Sequence, residues 1–590
     1  MKHESKFPVK KALVLAIMSV GFSQAALATP YFTPGNLIVS ETTYDNNANV
    51  HVGDQLSVKT FGTGGAANTY NIATNDGSSL NVFKNEVPDP SFGVSSAITL
   101  QQMTTSGAFV SNLAIDTTRM TTSFASKSEL ALNVSTDGQS ISFMGYASPI
   151  DAIDVSNSNT TQAYDATNPV TTTVARAIGT VDLNSGAVSV TDVNAYSGNN
   201  GRAAVQANGQ YYMVGNAGNG SAAAAGLVAL SNNTGVQTIA VGSSGNTTVV
   251  GAPSGSNTSA TGYQNGFSLS QLTNPVTNLL YAADKTGKDD NFRGMTIAND
   301  TLYVTKGSGS NGVDTVYQVG ATGALANGGQ VASNAAITVL PGFNAISEKV
   351  IEGSAAATPT FASPGTGSAG VAAYNALVTA YNTTNAADIA LGTLTAKTYE
   401  TNAASFHPFG IWFGDASTLF VADEGDGVRT DAVNILNKVT TQAGLQEWKN
   451  VGGTWTETQV FQTGLIGQLD SAAQTALGWS VQEDGLRNIS GQKNLDGSFT
   501  IYGTTSTVSN EITHDLGADP NQIVAINITS GSTAANTSFT VLQTAAAGSR
   551  FGGVAIAPAS VAAVPVPAAV WLFGTGLMGL LGAARKRKNA

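Results

Sequence analysis

Few side chains in this sequence are placed for catalytic or metal chemistry, and the carboxylates come first among them. Asp284, Asp289 and Asp290 precede Arg293, and Asp423-Glu424-Gly425-Asp426-Gly427 follows directly on an apolar strand. Each run offers oxygen ligands of the kind Ca2+ takes, with Asp284, Asp289, Asp423, Glu424 and Asp426 as the candidate set. Neither has the twelve-residue EF-hand spacing, and the competing reading is solvated turns in which Asp serves turn chemistry. Beyond the first 28 residues there are three histidines, His51, His407 and His514. Gly307-Ser308-Gly309-Ser310-Asn311 breaks the nucleophile-elbow pattern at its last position, with no strand-to-helix context after it. There is no phosphate-binding Gly-x-x-x-x-Gly-Lys-Ser/Thr and no His-Glu-x-x-His. With no Cys in 590 residues, thiol catalysis, zinc ribbons and disulfide frameworks are excluded. No catalytic residue is assigned.

The elements that must position these groups are β-strands: short apolar runs bounded by Gly, Asn, Asp and Ser. They recur as a unit, a small-residue approach, an apolar strand, a polar turn and a second strand rich in Tyr, Leu and Val. Copies begin at Glu129, Arg202, Arg293, Phe409 and Leu486, each usually followed by a further hairpin, as in Leu445–Lys449 with Thr454–Glu457 around the Gly452-Gly453 turn. Two hairpins make a four-stranded blade. Arg550–Ile556 looks like a first strand without a second, and Asn36–Ser40 like a second without a first, so the two ends are expected to complete one blade. Such closure leaves no exposed sheet edge.

The pattern resembles β-propellers, and the expected body is all-β over residues 29–556. It has six four-stranded blades, or seven if a degenerate copy lies between residues 57 and 128; a β-helix and tandem sandwiches are the competing folds. Residues 216–262 and 353–405, rich in Ala, Thr, Gly and Asn, read as surface-loop insertions, the second with a short helix at Val371–Tyr381. Residues 557–563 read as a linker.

The repeat also places basic residues. Arg202, Arg293, Arg487 and Arg550 sit at or beside the start of the inner strand in four copies, and His407 two residues before it in a fifth. Equivalent positions converge in a propeller, so these residues are expected to ring one channel mouth, a site suited to carboxylate, phosphate or sulfated sugar. The competing reading has each Arg stapling its blade to a neighbour's Asp.

The two ends carry addresses. Lys2, Lys6, Lys10 and Lys11, an apolar stretch from Ala12 to Phe22, and Ala26-Leu27-Ala28 follow signal-peptide order, with cleavage expected before Thr29. At the far end, Val564-Pro565-Val566-Pro567 precedes an uncharged segment from Ala568 to Ala584 and then Arg585-Lys586-Arg587-Lys588. At about 1.5 Å per residue the segment spans about 25 Å, the short limit for a transmembrane helix, and the basic cluster keeps its end cytoplasmic.

This tail resembles the PEP-CTERM sorting signals recognised by exosortases in Gram-negative bacteria that make extracellular polysaccharide. The resemblance covers Val564 to Ala590 and rests on the Pro-x-Pro motif, the Gly-rich apolar segment with Trp571-Leu572-Phe573-Gly574, and the terminal basic cluster. Val566 stands where the family's Glu does. The resemblance implies a signal peptidase and an exosortase-type enzyme as partners, a transient stay in the inner membrane, and release to the cell surface or matrix. An uncleaved single-pass anchor is the competing reading.

Charged residues are 11% of the chain against a typical ~25%, a composition common in secreted bacterial β-rich proteins. The overall net charge is −12; setting aside +3 from residues 1–28 and +4 from the tail leaves −19 on residues 29–563, which disfavours nucleic-acid partners. The expected function is a secreted or surface, non-catalytic binding or structural module associated with extracellular polysaccharide, with no cofactor required. The alternative is a propeller-scaffold phosphoesterase, lactonase or glycan-active hydrolase that uses the acidic loops and Ca2+.

Overall fold

The structure, a computed structural model, describes residues 30–44, 55–60, 69–74, 94–124, 126–152, 154–166, 168, 170, 173–218, 226–254, 264–273, 280, 287–308, 311–343, 379, 382–384, 386–391, 406–425, 427, 443–468, 481–509 and 519–558. The expected signal peptide, the helix at Val371–Tyr381 apart from Thr379, the end of the 557–563 linker and the whole sorting tail lie outside them. Among the described residues, no helix is long and apolar enough to cross a membrane.

Most of the described strands form six four-stranded antiparallel blades in a propeller; Thr122–Ser123 pairs in addition with Ser95–Met103, and two two-stranded sheets, Gln55–Thr60 with Thr69–Thr74 and Pro253–Ser254 with Gln264–Asn265, are separate from the blades. Blade 1 is the closure blade, with Ser549–Ile556 innermost, then Leu37–Thr43, Ser95–Met103 and Phe109–Ala114. Blade 2 runs Asn133–Val134, Ser140–Tyr146, Arg176–Asp182 and Val188–Val193; blade 3 runs Gly201–Ala207, Gln210–Gly215, Gly235–Ala240 and Thr248–Val250. Blade 4 comprises Met295–Ala298, Thr301–Lys306, Thr315–Val319 and Ile337–Val339. Blade 5 comprises Pro408–Asp415, Thr418–Asp423, Gly444–Val451 and Thr454–Phe461, and blade 6 Val481–Lys493, Phe499–Ser509, Gln522–Ile528 and Thr540–Thr544.

The ring closes by the expected union of the two ends. Leu37 pairs with Ile556 and Thr43 with Ser549 in an antiparallel register. The segment in which a seventh blade was sought instead supplies the two outer strands of blade 1, since Leu37–Thr43 pairs on its other side with Ser95–Met103. Residues 216–262 are also corrected. They are not simply a loop, because Gly235–Ala240 and Thr248–Val250 are the outer strands of blade 3, with Val236, Ile239 and Val250 buried. Their Gly-, Thr- and Asn-rich surroundings mask the short apolar alternation.

Two devices hold the inner strands together. Glycines let backbones approach: a β-carbon at Gly294 would overlap the Phe409 carbonyl, and one at Gly410 would lie 2.6 Å from the Arg487 carbonyl oxygen. These are the small residues of the repeat's approach segment. Second-strand hydroxyls then bridge blade to blade. Ser40 Oγ accepts from Gly553 N–H (2.7 Å) and donates to the Leu130 carbonyl (2.7 Å). Thr305 Oγ1 accepts from Gly294 N–H (2.9 Å) and donates to Phe409 O (2.5 Å), and Thr504 Oγ1 accepts from Asn488 N–H (3.2 Å) and donates to Gly552 O (3.3 Å). In each case one hydroxyl ties its own innermost strand to the chain lining the next blade.

Because every blade is an antiparallel meander, its connections divide between two faces. The turns after first strands, such as Asn208-Gly209 and Asp496-Gly497, lie on one face, together with both ends of the described chain. There Tyr31 N–H donates to Asn184 O (2.7 Å) and Ala557 N–H to Asn36 O (2.8 Å). The links between second and third strands and between blades begin and end on the other face. That face includes the connections that start after Thr43, Val339 and Asp423.

Candidate functional site

Inner strands begin at the face that carries the long connections, so their first residues surround that mouth of the channel. Arg202 is 4% exposed at the start of blade 3. Its Nε donates to Asn200 Oδ1 (3.2 Å), and Nη1 donates to Phe292 O (2.8 Å) and to the Asn291 side chain, both at the entry to blade 4. Arg293 precedes the first strand of blade 4 and sits over the Phe409 ring at 5.8 Å. Its guanidinium donates to Ser308 Oγ, from Nε at 2.8 Å and from Nη2, and through Nη1 to Ser128 Oγ. Ser128 leads into blade 2, which blade 3 separates from blade 4, so this bond crosses the mouth.

Arg487 lies in the inner strand of blade 6, its side chain 6% exposed, and Nε donates to Glu424 Oε2 at 3.3 Å. Glu424 is the residue after the second strand of blade 5. Its backbone is pinned, N–H to His407 O at 3.1 Å and carbonyl to the Ser506 hydroxyl. Burial works to raise its pKa, but the charges of Lys127, Arg293, Arg487 and His407 prevail and hold the carboxyl down at about 2. Arg202 also lies within the electrostatic reach of Glu424; burial and the neighbouring Arg293 push the Arg202 pKa well below its ordinary value.

The structure therefore brings Arg202, Arg293, Arg487 and His407 around one carboxylate. His407 Nδ1 lies 3.0 Å from Gly307 O and 4.0 Å from Asp314 Oδ2. Arg550 is engaged elsewhere. It is 2% exposed, and it donates from Nε to Phe124 O (2.5 Å) and from Nη2 to Ser123 O (3.4 Å) on the approach to blade 2. Beside it, Glu129 is fully buried, accepting from Thr122 (2.6 Å), Ser123 N–H (3.0 Å) and the Tyr146 hydroxyl (2.5 Å), and its pKa is raised by burial. The expectation of stapling to a neighbour's Asp is changed in kind. Arg202, Arg293 and Arg550 do bond across blade boundaries, but to carbonyls, Asn and Ser.

Two basic side chains escaped the sequence reading. Lys127 stands two residues before Glu129, the same offset by which His407 precedes Phe409, and that spacing was a usable signal. Arg176 had none, because it begins a third strand; it is completely buried, donates to the carbonyls of Ser156, Ser158, Val174 and Asn199, and stacks on Tyr146.

The acidic candidates are distributed differently. Asp284 and Asp426 lie outside the described residues. Asp289 Oδ2 accepts from Leu269 N–H (3.0 Å), and Asp290 Oδ1 from Phe267 N–H (2.8 Å), both capping the backbone of one loop. Asp423 accepts from the N–H groups of His407 (2.7 Å) and Gly425 (2.9 Å), and burial pushes its pKa up to about 6. Among the described residues no three His, Asp or Glu side chains are grouped so as to hold a metal ion. A shallow groove of about 480 Å3 on blade 6, lined by uncharged residues such as Thr500, Asn527, Ser532 and Asn536, contains no titratable group.

The arrangement can hold and orient an anion; forked guanidinium donors and an ammonium group supply charge and direction. No model of a known protein family matches this chain, and no curated protein matches it.

Proposed function

We propose that this chain is an exported protein acting at the cell envelope or in the extracellular matrix as a non-catalytic binding and structural module, with the channel mouth as its binding part. The observation that carries the reading is the gathering of Lys127, Arg202, Arg293 and Arg487, from four blades, within electrostatic reach of the Glu424 carboxylate, with Arg487 in direct contact at 3.3 Å. In a body of net charge −19 such a set draws an anionic group by charge and fixes it by geometry. The placement of the chain ends supports the same reading. Residues 30–36 and 557–558 meet on the opposite face, so a body held by either end presents its mouth and long connections outward.

The addresses in the sequence supply the rest of the proposal. A signal peptidase cuts after Ala28, the apolar segment from Ala568 halts in the inner membrane, and an exosortase-type enzyme acts around Pro565 and Pro567. Intact-mass measurement of the protein from membrane and culture-supernatant fractions of a native host tests this. A supernatant form running from Thr29 to near Pro565 is expected; a chain retained through Ala590 in the membrane fraction alone overturns the sorting step.

A further inference from the structure

Resting on the reading of the mouth as the binding part, we infer that Glu424 is a built-in stand-in for the ligand. The mouth takes one oxyanion group, phosphate, sulfate or carboxylate, which competes with the Glu424 side chain for Arg487 and Arg293.

Three features of the site carry this. Arg202, buried, and Arg293, half-buried, stand at the mouth with no carboxylate at ion-pair distance among the described residues; they donate to the neutral Asn200, Asn291, Phe292 carbonyl, Ser308 and Ser128. Burying guanidinium charge against neutral acceptors is costly, and an anion offsets that cost. Glu424 also serves Arg487 poorly, through one contact at 3.3 Å to Nε, where a carboxylate and a guanidinium can form two parallel bonds. Neither terminal nitrogen of Arg487 has a partner among the described residues, although the side chain is only 6% exposed. Finally, Glu424 can yield without refolding. Its backbone is fixed by His407 and Ser506, so a side-chain rotation alone exposes the fork.

The competition is tested by calorimetric titration of the full chain and its variants with inorganic phosphate and, separately, a short oligogalacturonate, at constant ionic strength. Glu424→Gln is expected to bind at least one probe about tenfold more tightly than wild type, and Lys127→Gln, at a partly exposed position, to bind it several-fold more weakly. Binding of phosphate alone identifies a free anion as the ligand, and binding of the oligosaccharide alone identifies a sugar-borne one. Equal or weaker binding by Glu424→Gln, or unchanged binding by Lys127→Gln, overturns the inference. If Glu424→Gln is unstable in chloride, its melting temperature in phosphate decides: a rise of several degrees supports an anion replacing the lost carboxylate, and no rise overturns it. Should no probe bind while mature protein appears in the supernatant, the oxyanion inference fails and the exported module stands.

Discussion

Arg293 hydrogen-bonds Ser128 across the mouth of the channel, joining the entry of blade 4 to the approach to blade 2 with blade 3 between them. Adjacent blades hold each other by strand packing, but this bond braces the ring across its opening. Ser128→Ala removes the neutral acceptor and leaves Arg293 on Ser308 alone. A cost of about 1.5–3 kcal/mol in urea unfolding is expected, as for a hydrogen bond to a charged group. A smaller loss would mean that the brace contributes little.

Thr305 is the test of the hydroxyl bridges. Thr305→Val keeps the shape but strips Gly294 N–H of an acceptor and Phe409 O of a donor. Destabilisation of about 1–3 kcal/mol is expected, with most of it recovered in Thr305→Ser, read from the denaturation midpoint.

Gly294 and Gly453 separate close approach from turn geometry. Gly294→Ala drives a β-carbon into the Phe409 carbonyl, where backbone on both sides resists movement, and about 3 kcal/mol or more is expected. Gly453→Ala meets open space and suffers only its positive φ of 91°, so about 1–2 kcal/mol is expected. Similar melting temperatures for the two variants would contradict the backbone-contact account.

Glu424 and Asp423 give stability opposite dependences on pH. The Glu424 pKa is depressed from 4.5 to about 2, so its contribution is present above pH 4.5 and is lost as pH falls toward 2. Asp423 is raised from 3.8 to about 6, so its contribution is present below pH 3.8 and is lost as pH rises through 6. Thermal melts from pH 2 to 8 should show stability falling below pH 4.5 in wild type and a shallower fall in Glu424→Gln. Parallel profiles would remove Glu424 from the charged group.

Much of this architecture was legible because the repeat writes its strands plainly. Tyr211–Val214, Leu302–Val304 and Leu419–Val421 are apolar second strands at matching distances from their first strands, and the unpaired strands at the two ends named the closure blade. The outer strands of blade 3 were hidden because Thr248–Val250 is three residues long among Gly, Ser and Asn. The arginine positions were visible from the repeat, but their partners were not. In the sequence Glu424 reads as a candidate Ca2+ ligand or a solvated turn residue, and only the fold sets it near Arg293 and Arg487. Arg176 meets its carbonyls through irregular backbone that has no period to read.

The closure blade also sets a timetable for synthesis. Leu37–Thr43 is made long before its inner partner, Ser549–Ile556, with a sequence separation of 513 between Ser40 and the Gly553 it bonds. Five blades can be finished while the first strand still waits beside an open seam, and pairing so distant in sequence is slow to find. With synthesis in the amino-to-carboxyl direction, the ring has every strand it needs only when residue 556 has been made. A chain cut short before Ser549 therefore leaves the inner edge of Leu37–Thr43 unpaired, and an unpaired strand edge invites association with other chains.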